Sequence, residues 1–376
     1  SFTLPSGKRG KRYSAPRELS RISASADGTT LAIAELHPIQ GFRIQLLDGS
    51  SGKIVRTIEG QNTSVSTLAM APDGTQLAVG SPSALALWSM PRGEMWFSTP
   101  DRRLRASSGL SYSHDGKQVA SLEANKIRIR DASTGRVLRA WRVGPDSLVL
   151  FSFRPQTSTL VTVSEGLISA EGGRLAEYDL SGPLPESTDL DADNLVRDLN
   201  KPKAKVVGSL GFKVRAAALS PDGSAIVAAA DSIETMPDAG RVALFDARTG
   251  QQRWSIESKT SFGRHVGFTA DGKRVLLAGR RYKPVREMRS GETAEPVLRA
   301  FSVTTGALER EVVLETSGAI AARGNHIVIG GSHSVIIDAT TLEIKTPIAL
   351  RDAHVWSVIA HPTQEAFLLG GIGGST

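Results

Sequence analysis

The dipeptide Asp-Gly returns along this chain at positions 27–28, 73–74, 115–116, 222–223 and 271–272, each time between two short apolar runs. Glycine supplies the positive φ that a tight antiparallel turn demands, so this pattern is a strong β-hairpin signal. Weaker copies stand where the rhythm predicts them, at Pro155-Gln156, Gly324-Asn325 and Pro362-Thr363. The spacing predicts eight hairpins in 376 residues, and such recurrence points to a repeat architecture.

A second turn follows each hairpin. Apolar runs at 44–47, 85–88, 127–130, 243–245 and 298–301 lead, in order, into Asp48 with Gly52, Gly93, Asp131 with Gly135, Asp246 with Gly250, and Thr305 with Gly306. Tyr178-Asp179 and Ile337-Asp338 hold the same place in the fourth and seventh units. Another strand-like run comes next, as at 53–58, 137–143 or 252–256. One unit therefore reads strand a, Asp-Gly turn, strand b, loop, strand c, Asp-x-x-Thr-Gly-like turn, strand d. Four antiparallel strands recurring at about 45 residues mark the blade of a β-propeller. A lone blade cannot bury both faces, and its neighbours in the ring cover them. Strand a is rich in small residues, such as Ala216, Ala217 and Ala218, which suits the crowded strand nearest the axis.

Seven units read as complete, at 19–60, 63–100, 107–144, 148–210, 213–258, 264–315 and 317–350. The eighth, at 354–376, has only strands a and b. Residues 2–4 and 11–15 align with strands c and d of the second unit, so 1–16 supply the missing pair. The reading is all-β: one eight-bladed β-propeller of four-stranded antiparallel blades over 1–376, its last blade closed by strands from both termini. The alternative is seven blades plus an extra hairpin. In this register Lys8-Arg9-Gly10-Lys11-Arg12 is a turn and a solvent-facing edge strand rather than a nucleic-acid or membrane tail.

These residues resemble the WD40 and WD40-like (YVTN-type) repeat propellers. Ser220-Pro221-Asp222-Gly223, Ala71-Pro72-Asp73-Gly74 and Leu87-Trp88-Ser89 look like that family's strand-end motifs. The resemblance spans nearly the whole chain and is specific for fold but not for function; the regular ring, the absence of catalytic motifs and the uneven loops on one face point to a non-catalytic protein–protein interaction scaffold with no cofactor. No unit keeps both the Gly-His and the Trp-Asp pair, and only His354 resembles the family's histidine before strand a. The buried Trp–Ser–His–Asp network of many WD40 blades is therefore expected to be missing from most of the ring. Residues 247–256 look like one copy of the tryptophan-docking motif of quinoprotein-type propellers. WD40-like rather than strict WD40 signatures point to a bacterial origin.

The chain carries a formal charge of +7, has no cysteine, and holds no apolar stretch long enough for a membrane helix. Thiolate metal sites and disulfides are excluded, while cytoplasm and periplasm both remain open. The charge favours acidic partners in general and is too dilute to favour nucleic acid. The chain starts at Ser1, which suggests a piece of something longer.

Turn-to-turn distances locate insertions. Gly74 to Gly93 and Gly116 to Gly135 each span 19 residues, but Gly223 to Gly250 spans 27 and Gly272 to Gly306 spans 34. The extra length falls between strands b and c, at 36–41, 231–240 and 279–296, with another insertion at 165–173. These loops share one face with the d–a connections and form the candidate partner-binding rim. Its residues are His37 and Phe42, then Asp231 and Glu234, then Arg280, Arg281, Tyr282, Lys283, Arg286 and Arg289. Arginine beside an aromatic can clamp a carboxylate or phosphate or stack on a base; the plainer account is a solvated basic loop. A further insertion at 182–205 contains Leu190, Leu195, Val196 and Leu199 near helical spacing with acids first, which predicts a short helix over 189–200.

Seven histidines are scattered, with no His-x-His or His-Glu-x-x-His. His326 and His333 could meet across a hairpin but lack a third ligand. Residues 370–375 are glycine-rich without the P-loop lysine. Three classes remain: a monomeric, non-catalytic scaffold for a protein partner; an enzyme or cofactor-binding propeller of quinoprotein, haem or hydrolase type; and a phosphate or nucleic-acid binder using the blade-six loop.

Overall fold

The computed structural model describes residues 2–3, 19–37, 41–60, 65–81, 84–90, 92–100, 109–123, 125–144, 147–166, 172–182, 201–202, 204–230, 240–258, 261–282, 294–348 and 354–372. Among them there is no helix; seven four-stranded antiparallel sheets follow one another, and an eighth has three described strands. The expected helix at 189–200 and the strand at 11–15 lie outside the described residues.

The innermost strands, in order, are Leu19–Ala24, Thr67–Met70, Gly109–Tyr112, Leu148–Phe153, Ala216–Leu219, Ser261–Phe268, Ile320–Arg323 and His354–Ala360. Each packs against the next, and the eighth packs against the first. The eighth sheet joins both chain ends: Phe2–Thr3 pairs with Ala366–Ile372, placing Phe2 opposite Phe367 and Thr3 opposite Ala366. The described strands thus give seven full sheets and a last hairpin with Phe2–Thr3 along its edge, consistent with a propeller, and the fourth strand expected in that last sheet lies outside the described residues.

Strands b and c of blade five, Ala225–Ala230 and Arg241–Asp246, show why the ring is stable. Ile226, Ala228, Ala243 and Phe245 pack against Val161, Val163 and Leu175 of blade four. Ala225, Val227, Ala229, Val242 and Leu244 pack against Phe268, Val275, Leu277 and Phe301 of blade six. The period of two along a strand thus serves two interfaces, and both faces must be apolar. At roughly 25 cal/mol per Å² of apolar surface, these inter-blade cores supply most of the fold's stabilisation.

Blades also dock at their outer edges. The Trp254 indole of blade five donates from Nε1 to the Val303 carbonyl at 2.8 Å and lies against Gly306, where an added Cβ would stand 2.8 Å from the ring. Phe97 covers Gly135 in the same way, and Arg139 and Arg310 donate to the carbonyls of Gly182 and Thr341 in the next blade. Gly93, Gly135 and Gly306 of the outer turns are therefore landing places for Arg56, Phe97 and Trp254 of the preceding blade's outer strand. The tryptophan-docking look of residues 247–256 corresponds to this contact.

The inner turns follow one scheme. Ser25 Oγ donates to Asp27 Oδ1 at 2.6 Å, the Asp27 carboxylate accepts from the Thr29 N–H at 3.0 Å, and Gly28 adopts φ +71°. Ser113 with Asp115, Ser220 with Asp222 and Thr269 with Asp271 repeat it. Hydrogen bonds from Ser25 and Thr29 lower the Asp27 pKa, those from Ser220 and Ser224 lower Asp222, and those from Ser50 and Ser51 bring Asp48 from 3.8 to about 2. A carboxyl depressed in the folded state stabilises the fold above its unfolded pKa and loses that contribution as pH falls. The melting temperature should therefore hold between pH 7 and about 5, then drop between about pH 4 and 2. Thermal melts across that interval check this, and a flat profile would contradict it.

Candidate interaction surface

The connections between strands b and c open on the face where each strand a begins. Among the described residues blade six has the longest strands b and c. Its strands b and c, Arg274–Tyr282 and Ala294–Ser302, are nine residues each and stay in register from Arg274 opposite Ser302 to Tyr282 opposite Ala294. The outer strand Leu308–Val313 stops earlier, with Val313 opposite Val297, while Ser261 of the inner strand still pairs with Arg280. This corrects the loop expected at 279–296: Arg280, Arg281 and Tyr282 stand on a strand, and the connection shrinks to 283–293.

The extension is held by alternating charges across strands. Arg281 bridges Glu295 and Glu311, and Glu311 also accepts from Arg299 Nε at 2.6 Å. Opposite-charge pairs facing one another across neighbouring strands stabilise a sheet where apolar packing has run out. Arg281 therefore serves the ribbon, whereas Arg280 is exposed. Lys283, Arg286 and Arg289 lie outside the described residues, as do Asp231 and Glu234, so the pairing expected between the blade-five acids and the blade-six loop falls there too.

In blade one, His37 ends strand b opposite Gly41, so the insertion expected at 36–41 begins and ends on the ladder, and residues 38–40 lie outside the described residues. Phe42 is half-buried, covers Gly60, and packs against the cluster containing Ile44, Val65 and Leu77. The two ends of the insertion expected at 165–173 meet the following connection, with the Gly173 N–H donating to the Phe212 carbonyl and the Val214 N–H to the Glu165 carbonyl, while 167–171 lie outside the described residues.

His326 is buried, and its pKa is lowered mainly by that burial, while His333 stands exposed 3.9 Å from Glu315. Among the described residues no group of three or more His, Cys, Asp or Glu is placed to hold a metal ion. No described helix is long and apolar enough to cross a membrane.

Sequence reasoning missed one feature of this face. Trp356, at the start of the blade-eight inner strand, is 57% exposed and lies against His354 with ring centroids 4.1 Å apart and planes tilted by 42°. The Ala353-His354-Val355-Trp356 sequence carried the signal, but exposure on an innermost strand is a property of the assembled ring.

No curated protein matches the chain. The family model described as WD domain, G-beta repeat matches residues 52–89. That stretch runs from the outer strand of blade one, Ile54–Gly60, through Thr67–Met70 and Gln76–Gly80 to Ala84–Ser89 of blade two. The matched repeat is thus offset by one strand from the blade and ties blades one and two together. Match and ring together are consistent with the WD40-type propeller family.

Proposed function

We propose that the protein is a non-catalytic platform that holds a protein partner on the face bearing the b–c connections. WD40-type propellers commonly serve this way, and the reading rests on the blade-six ribbon. Two strands leave the four-stranded sheet in register, fixed by the Glu295–Arg281–Glu311–Arg299 chain, and carry a connection whose sequence includes Lys283, Arg286 and Arg289. A binding loop on a rigid support loses less entropy on complex formation than one on a free tether.

Replacing residues 283–293 by a short Gly-Ser turn keeps the ladder and removes the connection. Affinity capture with the intact and replaced chains, each checked by thermal melt, tests the reading. The expected result is loss of a partner at unchanged melting temperature. Partners retained by the replaced chain would overturn the rim assignment.

A further inference from the structure

The five Asp-Gly turns share almost all of their geometry. In each, the glycine N–H donates to the carbonyl three residues back, at 2.9 or 3.0 Å. Each glycine has a φ between +69° and +71°. Each aspartate is exposed, and its Oδ1 accepts from the N–H two residues on, from Thr29, Thr75, Lys117, Ser224 and Lys273 in turn.

One contact separates them. Ser25, Ser113, Ser220 and Thr269 each donate a hydroxyl, at 2.6 Å, to the aspartate two residues later. The same hydroxyl accepts from the N–H five residues on, which pins it to the start of strand b. Blade two has Ala71 in that place, which carries no hydroxyl. Blade five supplies the matched comparison, with Ser220-Pro221-Asp222-Gly223-Ser224 against Ala71-Pro72-Asp73-Gly74-Thr75. In both, the residue after the glycine gives its N–H and its hydroxyl to Oδ1. Ala71 in place of Ser220 is the difference left.

An aspartyl carboxyl followed by glycine is open to attack by the glycine's own amide nitrogen, because no Cβ screens that nitrogen. The nitrogen bonds to Cγ, a hydroxyl leaves the carboxyl with the amide proton as one water, and a five-membered succinimide forms. Water then adds to either carbonyl. One opening restores aspartate; the other leaves isoaspartate, with the main chain running through the former side-chain carboxyl. A pinned hydroxyl opposes the first step in two ways. It ties the carboxylate to the head of the hairpin, so Cγ must break that bond to reach the nitrogen. It also favours the ionised carboxylate, whereas the group that leaves is the hydroxyl of the neutral acid. The hydroxyls of Ser25 and Ser220 are the largest cause of the lowered pKa of Asp27 and of Asp222.

We propose that Asp73 is a covalent modification site, converting to isoaspartate ahead of the four pinned Asp-Gly turns and loosening the seam between blades one and two. The Pro72 carbonyl accepts from the Ala26 N–H of blade one at 2.8 Å, and a Cβ on Gly74 would stand 3.2 Å from Ser25 Cβ and Thr30 Oγ1. Isoaspartate adds a methylene to the main chain between these two contacts.

The test ages the whole chain in mildly acidic buffer at body temperature and maps it by mass spectrometry after digestion, with an unaged sample as baseline. Succinimide is read as the loss of one water. Isoaspartate is read by enzymatic methyl transfer to its carboxylate from labelled S-adenosylmethionine. Isoaspartate should form at Asp73 about threefold or more faster than at Asp222, the ratio that one hydrogen bond supports. In urea the two rates should converge. Ala71→Ser should slow Asp73 to the rate of Asp222, and Ser220→Ala should raise Asp222 to the rate of Asp73; the second variant carries the test if the first does not fold. The aged chain should melt below the unaged one, and Asp73→Glu should lose less on ageing. Equal rates in the folded chain, a difference that persists in urea, or rates unmoved in a folded variant would each overturn the assignment. A melting temperature unchanged by isoaspartate at position 73 would overturn the loosened seam.

Discussion

Glu123→Ala is expected to destabilise the protein by about 3–5 kcal/mol, a large part of the roughly 5–15 kcal/mol that holds a domain folded. Glu123 closes strand b of blade three and is 2% exposed. Its carboxylate accepts from Arg128 and from the Ser121 hydroxyl at 2.6 Å, and stands 3.3 Å from Arg130. Both guanidinium groups are buried, and Arg130 also lies over the Phe97 ring of blade two, 5.5 Å from its centroid. Removing the carboxylate leaves two cations in a medium that solvates them poorly. Their desolvation cost, already incurred in the native fold, is then no longer offset by attraction. Replacing all three by apolar residues of similar volume should restore much of the loss, since the cost lies in unpaired charge rather than in missing pairs. Urea midpoints of the single and triple variants decide this. A single variant within about 1 kcal/mol of the parent would mean that water reaches the cluster.

The closing seam between blades eight and one is held by a residue whose sequence context gave little away. His361 occupies a turn slot filled by serine or threonine in blades one, three, five and six. Its Nδ1 accepts from the Thr363 and Gln364 N–H groups at 3.3 and 3.0 Å, which leaves the proton on Nε2 to be donated to the Gly28 carbonyl at 3.0 Å. Thr363 Oγ1 adds a bond to the Asp27 carbonyl at 2.9 Å. A Cβ on Gly28 would stand 2.1 Å from the imidazole. The Asp-Gly turn of blade one is thus the surface on which the last blade shuts.

Features set by residues close in sequence were legible. Gly28, Gly74, Gly116, Gly223 and Gly272 all adopt positive φ, and each marks the hairpin that its Asp-Gly pair predicted. Blade order and the pairing of residues 2–3 with the last hairpin followed from the repeat alone. The blade-six ribbon did not, because Arg280 and Arg281 break the apolar pattern and the partners that keep the strands together, Glu295 and Glu311, lie far along the chain. Phe42 looked like a rim residue from its place beside an insertion, yet it covers Gly60 on the neighbouring strand. The exposed face of Trp356 likewise depends on which strands surround the axis.

The chain contains no cysteine, so a single pair can be introduced without competing thiols. Thr3 faces Ala366 in the last sheet. Directly opposed antiparallel residues have Cα atoms about 4.5–5.5 Å apart, inside the range a disulfide spans. A bridge between positions 3 and 366 would close a loop of nearly the whole chain, and on the loop-entropy account would stabilise the ring by up to about 6 kcal/mol. Oxidation of the Thr3→Cys, Ala366→Cys variant, followed by intact mass, thiol titration and a thermal melt, tests directly whether the two chain ends build one sheet. The prediction is a monomer lighter by two hydrogens, with no titratable thiol and a raised melting temperature. Free thiols after oxidation, or disulfide-linked dimers, would contradict it.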